Sequence, residues 1–258
     1  VGHFHGSGAL MTGCVSAATI ENNGLTCNDC GGISGDVDYC TLKDCLYIGT
    51  SVTGTGYVGS IAGDKTGGTI SNNYYTAISL GGVGAYSGAA DQDGARRART
   101  VTLGEGITLA DTPVTYDVSG ITAYGSTAIG YGGKIYSGEG QTFTLSYTVP
   151  EGYTLDGFSV NGTAIDGNSF TMPASNVSIT ATLTKNELAL ADGSSNDEAI
   201  STAAASGKVY EVTLQGRTLY KDGAWNTLCL PFDLELSGSV FDGAVVKTLS
   251  SSDYDSET

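Results

Sequence analysis

The chain has 258 residues, of which 40% are apolar, and carries 27 acidic against 11 basic side chains for a net charge of −16. That balance argues against nucleic-acid binding, which depends on clustered Lys and Arg, and against attachment to anionic lipid by charge. No run of about 18 apolar residues exists to cross a bilayer as a helix, and 39 Gly against 4 Pro, mixed with Thr, Ser, Val, Ile and Tyr, reads as short strands joined by tight turns.

Residues 1–90 hold an internal repeat. Gly13-Cys14-Val15-Ser16 returns as Asp44-Cys45-Leu46-Tyr47 and again as Asn72-Asn73-Tyr74-Tyr75. Cys30-Gly31-Gly32-Ile33-Ser34-Gly35-Asp36 returns as Val58-Gly59-Ser60-Ile61-Ala62-Gly63-Asp64. Steps of about 28–31 residues are the mark of a solenoid, in which each unit buries its apolar row only against its neighbours. Short β runs punctuated by Gly pairs predict the coils of a parallel β-solenoid. The pairs Asn22-Asn23 and Asn72-Asn73 suit corners with left-handed φ.

Residues 91–99 break the pattern. Asp91-Gln92-Asp93-Gly94 is followed by Arg96, Arg97 and Arg99, which predicts a linker and a protease-sensitive boundary. The acidic start matches the opening of a calcium loop, but the basic residues that follow do not supply its remaining ligands.

Residues 100–184 predict a second, all-β module of the sandwich or β-grasp-like kind. Phe143, Leu145, Tyr147 and Val149 alternate on one face of a strand, Asn161-Gly162 marks a hairpin, and Val177–Thr184 alternates again. Residues 185–258 predict part of a third β-rich module. Asn196 caps a short helix that ends at Gly207, and strands follow at Val209–Leu214, Trp225–Leu230 and Val245–Leu249.

Three segments carry a family resemblance. Residues 13–80 resemble the GLUG-type repeats of bacterial surface proteins. Gly152-Tyr153-Thr154-Leu155-Asp156-Gly157-Phe158-Ser159-Val160-Asn161-Gly162, with Ser169-Phe170-Thr171-Met172-Pro173 downstream, resembles the internalin-B-type bacterial repeat. Residues 213–233 are similar to a segment of large secreted proteins of Bacteroides and Prevotella type. The resemblance implies a multi-module exported or surface-attached protein, extracellular or held at the outer membrane, and no catalytic residue carries over from such families. The chain opens inside the repeat pattern and stops in an acidic tail, so the reading is a fragment whose leader and anchor lie outside it.

Few residues carry chemistry. Cys14, Cys27, Cys30, Cys40 and Cys45 crowd the repeats, and buried thiols, one or two disulfides and a metal centre all remain open. Cys229, in an apolar run, predicts core. His3 and His5 place two imidazoles on one face of a strand, as some metal sites require, but no carboxylate lies within the first twenty residues to complete a site. No His follows residue 5, which leaves a His-dependent hydrolase only those two rings. The reading is therefore no enzyme, no cofactor and no assigned metal. Tyr is the functional hint, at 15 against 6 Phe. Tyr74, Tyr75, Tyr124, Tyr131 and Tyr136 stand in Gly-rich surroundings and are the candidate ligand-binding residues, with a glycan or a host surface protein as partner. The expected function is a modular surface adhesin. The alternatives are a carbohydrate-binding array of a larger secreted enzyme and a structural stalk.

Overall fold

The chain turns the same corner on successive rungs. Gly13, Asp44, Asn72 and Gly94 hold φ of 63°, 54°, 51° and 73°, and each stands at the entry to one ladder of stacked strands. A second corner is set by Gly8, Tyr39 and Gly67, at 79°, 52° and 61°. Gly adopts this left-handed conformation freely, and Asn and Asp tolerate it better than other residues. The computed structural model describes residues 2–21, 28–77, 79–85, 94–220, 222–230 and 233–247.

Short strands run between the corners. The first rung has β1 (His3–His5), β2 (Leu10–Thr12) and β3 (Val15–Ser16). The second has β4 (Asp29–Gly31), β5 (Ser34–Asp38), β6 (Thr41–Lys43) and β7 (Leu46–Tyr47). The third has β8 (Tyr57–Gly59), β9 (Ala62–Thr66), β10 (Thr69–Ser71) and β11 (Asn73–Tyr75). Equivalent strands stack in parallel as β1-β5-β9, β2-β6-β10, β3-β7-β11 and β4-β8. The register carries the repeat: Val15 pairs with Leu46, which pairs with Tyr74, steps of 31 (46 − 15) and 28 (74 − 46) residues. This is a parallel β-solenoid. Val37, Leu42, Cys45, Tyr47, Ile61, Tyr75 and Val83 fill its interior with no solvent exposure.

The expected linker is not one over its described part. Residues 91–93 lie outside the described residues, but Gly94 turns the solenoid corner and β12 (Ala95–Leu103) leaves it as a strand. Asn73 pairs with Ala95 and Tyr75 with Arg97, in parallel, so β12 begins as the next rung of the solenoid. The same strand then pairs with β17 (Lys134–Gly138) and β22 (Val177–Lys185) of the following module. Arg96, Arg97 and Arg99 are half-buried along this strand.

Residues 104–185 supply the rest of that module: β13 (Ile107–Leu109), β14 (Pro113–Tyr116), β15 (Ile121–Tyr124), β16 (Ala128–Tyr131), β18 (Thr142–Tyr147), β19 (Tyr153–Val160), β20 (Thr163–Ile165) and β21 (Ser169–Thr171). Strands β14 to β17 form an antiparallel meander, and β13-β18-β21 form a separate antiparallel sheet. Both sheets feed one core, where Phe143 stacks on Phe170 at 5.2 Å beside Met172, Val101 and Ile179. The Asn161-Gly162 hairpin forms as expected, with φ of 50° and 80° at the two positions.

The meander covers one flank of the solenoid. Leu46 and Tyr74 point out of the solenoid, and Ile121, Ile129 and Tyr136 of the meander close over them. Beyond the module, β23 (Glu187–Ala191) and β24 (Glu211–Gln215) pair in parallel, connected through α1 (Asp197–Ser206). Gly207 ends α1 with φ of 66°, while the Asn196 side chain makes no cap bond and instead clamps both backbone groups of Ala191, at 3.0 and 3.1 Å. The strand expected at Trp225–Leu230 does not form, and neither does its successor over residues 245–247; residues 248–249 lie outside the described residues. Trp225 is 65% exposed. No helix of the described residues is long and apolar enough to cross a membrane.

Candidate functional site

Strands alternate their side chains, and on β1 and β5 the alternation divides chemistry from core. Phe4 and Val37 face inward as register partners, while His3 pairs with Asp36 and His5 with Asp38 on the outer face. His3 Nε2 lies 3.4 Å from Asp36 Oδ2 and 3.7 Å from Asp38 Oδ2, and His5 Nε2 lies 3.4 Å from Asp38 Oδ2. The three groups His3, Asp36 and Asp38 bring one ligand atom each within 4.8 Å of one another. Both imidazoles are open to solvent, whereas the two carboxylates are only 18% exposed. The second oxygen of each, Oδ1, is buried with no hydrogen-bond partner.

The surroundings add negative charge. Asp64 pairs with Asp36 on the next rung. The Asp29 carboxyl is pushed above the usual range by burial first, then by Asp64 and Asp36. Tyr39 stands at the edge of this face, 58% exposed, with its ring edge-on to His5 at 6.5 Å. Gly8 and Gly67 occupy the same corner on the other rungs, so Tyr39 is a bulky residue in a conformation that neighbouring rungs reserve for Gly. Imidazole nitrogens and carboxylate oxygens facing one point are a donor set for a divalent cation. The two imidazoles are legible in the sequence, but their carboxylates are not neighbours in the chain. They come from the next rung, 33 residues on (36 − 3).

The tyrosine candidates are corrected by burial. Tyr74 and Tyr75 have no solvent exposure and Tyr136 only 8%. Tyr75 fills the solenoid core, while Tyr74 and Tyr136 meet where the meander covers the solenoid. Tyr124 and Tyr131 are half-buried against the module cores. The Gly residues near Tyr rings make room for them instead of exposing them. A Cβ on Gly32 would fall 2.4 Å from the buried Tyr47 ring.

The cysteines divide. Cys40 and Cys45 are buried free thiols, Cys14 is a half-buried free thiol, and Cys30 is disulfide-bonded. Cys27 lies outside the described residues. Cys229, expected in a core, is exposed because its apolar run forms no strand. Cys14 and Cys45 stack on adjacent rungs, and the Cys14 N–H donates to Cys45 Sγ at 3.5 Å. On the next rung an Asn does this work, with Asn73 Oδ1 accepting the Cys45 N–H at 2.9 Å. Of the supposed calcium loop, Asp91, Gln92 and Asp93 lie outside the described residues and Gly94 is a solenoid corner.

Residues 116–187 match the family of the divergent InlB B-repeat domain. No curated protein and no solved structure gives a significant match to the chain.

Proposed function

We propose that this chain is a non-enzymatic segment of a bacterial surface protein, an adhesin that presents its β faces to a glycan or a host surface protein. The match of residues 116–187 to the divergent InlB B-repeat domain carries the reading, since that repeat type is typical of surface proteins. In this proposal the solenoid is of GLUG type and the protein is of the Bacteroides and Prevotella kind. The chemistry of the outer faces supports recognition. Hydroxyls pair across neighbouring strands at Thr115 and Thr122 (3.3 Å), Thr142 and Thr171 (3.2 Å), and Ser159 and Thr180 (3.0 Å). Such rows are rich in donors and acceptors, which suits hydrogen bonding to a polar partner.

A second reading, a stalk that holds a distal head away from the cell, is favoured by β12, which joins solenoid and module in one sheet. Binding of the whole chain to panels of glycans, mucins and matrix proteins separates the two. The adhesin reading expects saturable binding that is lost when Thr180 and Thr182 are changed to Lys. Absence of saturable binding across the panels sinks it and leaves the stalk.

A further inference from the structure

We propose that His3, His5, Asp36 and Asp38 form a binding site for one divalent transition metal ion of the zinc class, which fastens the first rung of the solenoid to the second. The inference goes beyond the surface-protein reading and does not depend on it.

Distance is the first argument. An imidazolium–carboxylate hydrogen bond closes to about 2.7–2.9 Å. The contacts here stay at 3.4, 3.7 and 3.4 Å. Ligand atoms about 2.0–2.2 Å from a tetrahedral zinc ion stand about 3.3–3.6 Å from one another. Two of the three spacings fall in that range and all three exceed a direct hydrogen bond, which fits donor atoms arranged around a shared ion. His3 Nε2 lies near both carboxylates, so His3, Asp36 and Asp38 converge, and His5 reaches the same Asp38 Oδ2 from beside them.

Donor chemistry is the second. Two imidazole nitrogens with two carboxylates form a borderline set that favours Zn²⁺ and its neighbours over Mg²⁺ or Ca²⁺, which prefer oxygen alone. The third is the buried, unpartnered Oδ1 of both Asp36 and Asp38. Packing carboxylates together with Asp64 alongside is costly without a compensating cation. The parallel register holds all four side chains on one face of two adjacent strands, so the site is set by rigid elements. A bound ion bridges residues 33 apart (36 − 3) and anchors the edge strand β1.

The chain contains only two His, so an imidazole-selective ¹H–¹³C NMR titration of the intact chain with ZnCl₂ reads the site directly. Both imidazole signals are expected to shift and to saturate at one equivalent of Zn²⁺. Excess Mg²⁺ leaves them in place, and Asp36→Asn/Asp38→Asn weakens the effect at least tenfold. Zinc held by thiols would not move the imidazoles. Unmoved imidazoles overturn the proposal. So does a titration unchanged in the double Asn variant, which would mark a simple His pair, or equal competition by Mg²⁺, which would mark a diffuse acidic atmosphere. Should the Asn variant fail to fold, His3→Gln/His5→Gln alters two exposed side chains instead. Equilibrium dialysis must then show the loss of one bound zinc per chain, and retention of that zinc overturns the proposal.

Discussion

Tyr116 Oη donates a 2.6 Å hydrogen bond to Asp44 Oδ2, across 72 residues of sequence. Asp44 is a solenoid corner with φ of 54° and its side chain is 1% exposed. The corner leaves a carboxylate at the boundary with the meander, where it must be fully bonded. Asn72 Nδ2 donates to Oδ1 at 2.6 Å, Lys43 Nζ lies 3.4 Å from Oδ2, and Thr12 Oγ1 donates to the Tyr116 hydroxyl at 2.8 Å. Three rungs and the module meet at one charge.

Tyr116→Phe tests that knot. It removes one hydrogen bond to a buried charge and leaves the ring in place, where it covers Gly13. The expected loss is about 1.5–3 kcal/mol in a urea titration. It should appear as one shifted transition, because solenoid and module share the bond. A transition split in two, or an unchanged midpoint, would show that Asp44 is held by the solenoid alone.

Alkaline pH should unfold the chain early. Burial raises the phenol pKa of Tyr47, Tyr74, Tyr116 and Tyr136. In the unfolded chain these groups ionise near about pH 10, while in the native chain they keep their protons to higher pH. Above that value the native state binds more protons than the unfolded one, so stability falls as pH rises. The stabilising share is complete below the unfolded pKa and disappears through the raised native values. Thermal melts by circular dichroism from pH 8 to pH 12 should show a steep fall beginning near pH 10, and a flat profile would contradict the burial of these rings.

The solenoid phase was legible because stacking makes repeat spacing and register the same quantity: steps of 31 and 28 residues appear as Val15–Leu46 and Leu46–Tyr74 pairs. The Asn161-Gly162 hairpin and the helix before Gly207 were legible from local turn chemistry. What escaped was whatever depends on which face a neighbour covers. Tyr74 points outward from its coil and would be a surface ring but for Ile121 and Ile129. The His3–Asp36 face escaped because its step of 33 residues differs from the repeat steps read from sequence. Arg96 and Arg97 resembled a linker because composition does not reveal that Gly94 repeats the corner at Asn72.

Cys14 should be the reactive thiol of the solenoid. Its pKa is lowered to about 6, chiefly by hydrogen bonding with Cys45, while the same contact and burial push Cys45 upward. Burial also raises Cys40. Iodoacetamide followed by peptide mapping should label Cys14 well ahead of Cys40 and Cys45 at pH 7, with a rate that levels off soon after neutrality. Labelling of Cys14 that keeps climbing to pH 9 would mean that its thiolate has no help from Cys45.

Limited trypsin digestion distinguishes the shared strand from a linker. Arg96, Arg97 and Arg99 lie within β12, whose backbone is bonded to β11, β17 and β22. Arg99 is further held by its Nε donating to the Ala174 carbonyl at 2.6 Å. Cleavage needs a local stretch of chain to leave its partners, and here that means breaking solenoid and module together. Arg217 instead opens a stretch in which the described residues form no strand or helix and leave Trp225, Val240 and Val245 exposed. First cuts are therefore expected at Arg217 and beyond, trimming the chain while the bonds after Arg96, Arg97 and Arg99 survive. Early fragments that begin at Arg97, Ala98 or Thr100 would show that β12 opens by itself and that the two units move independently.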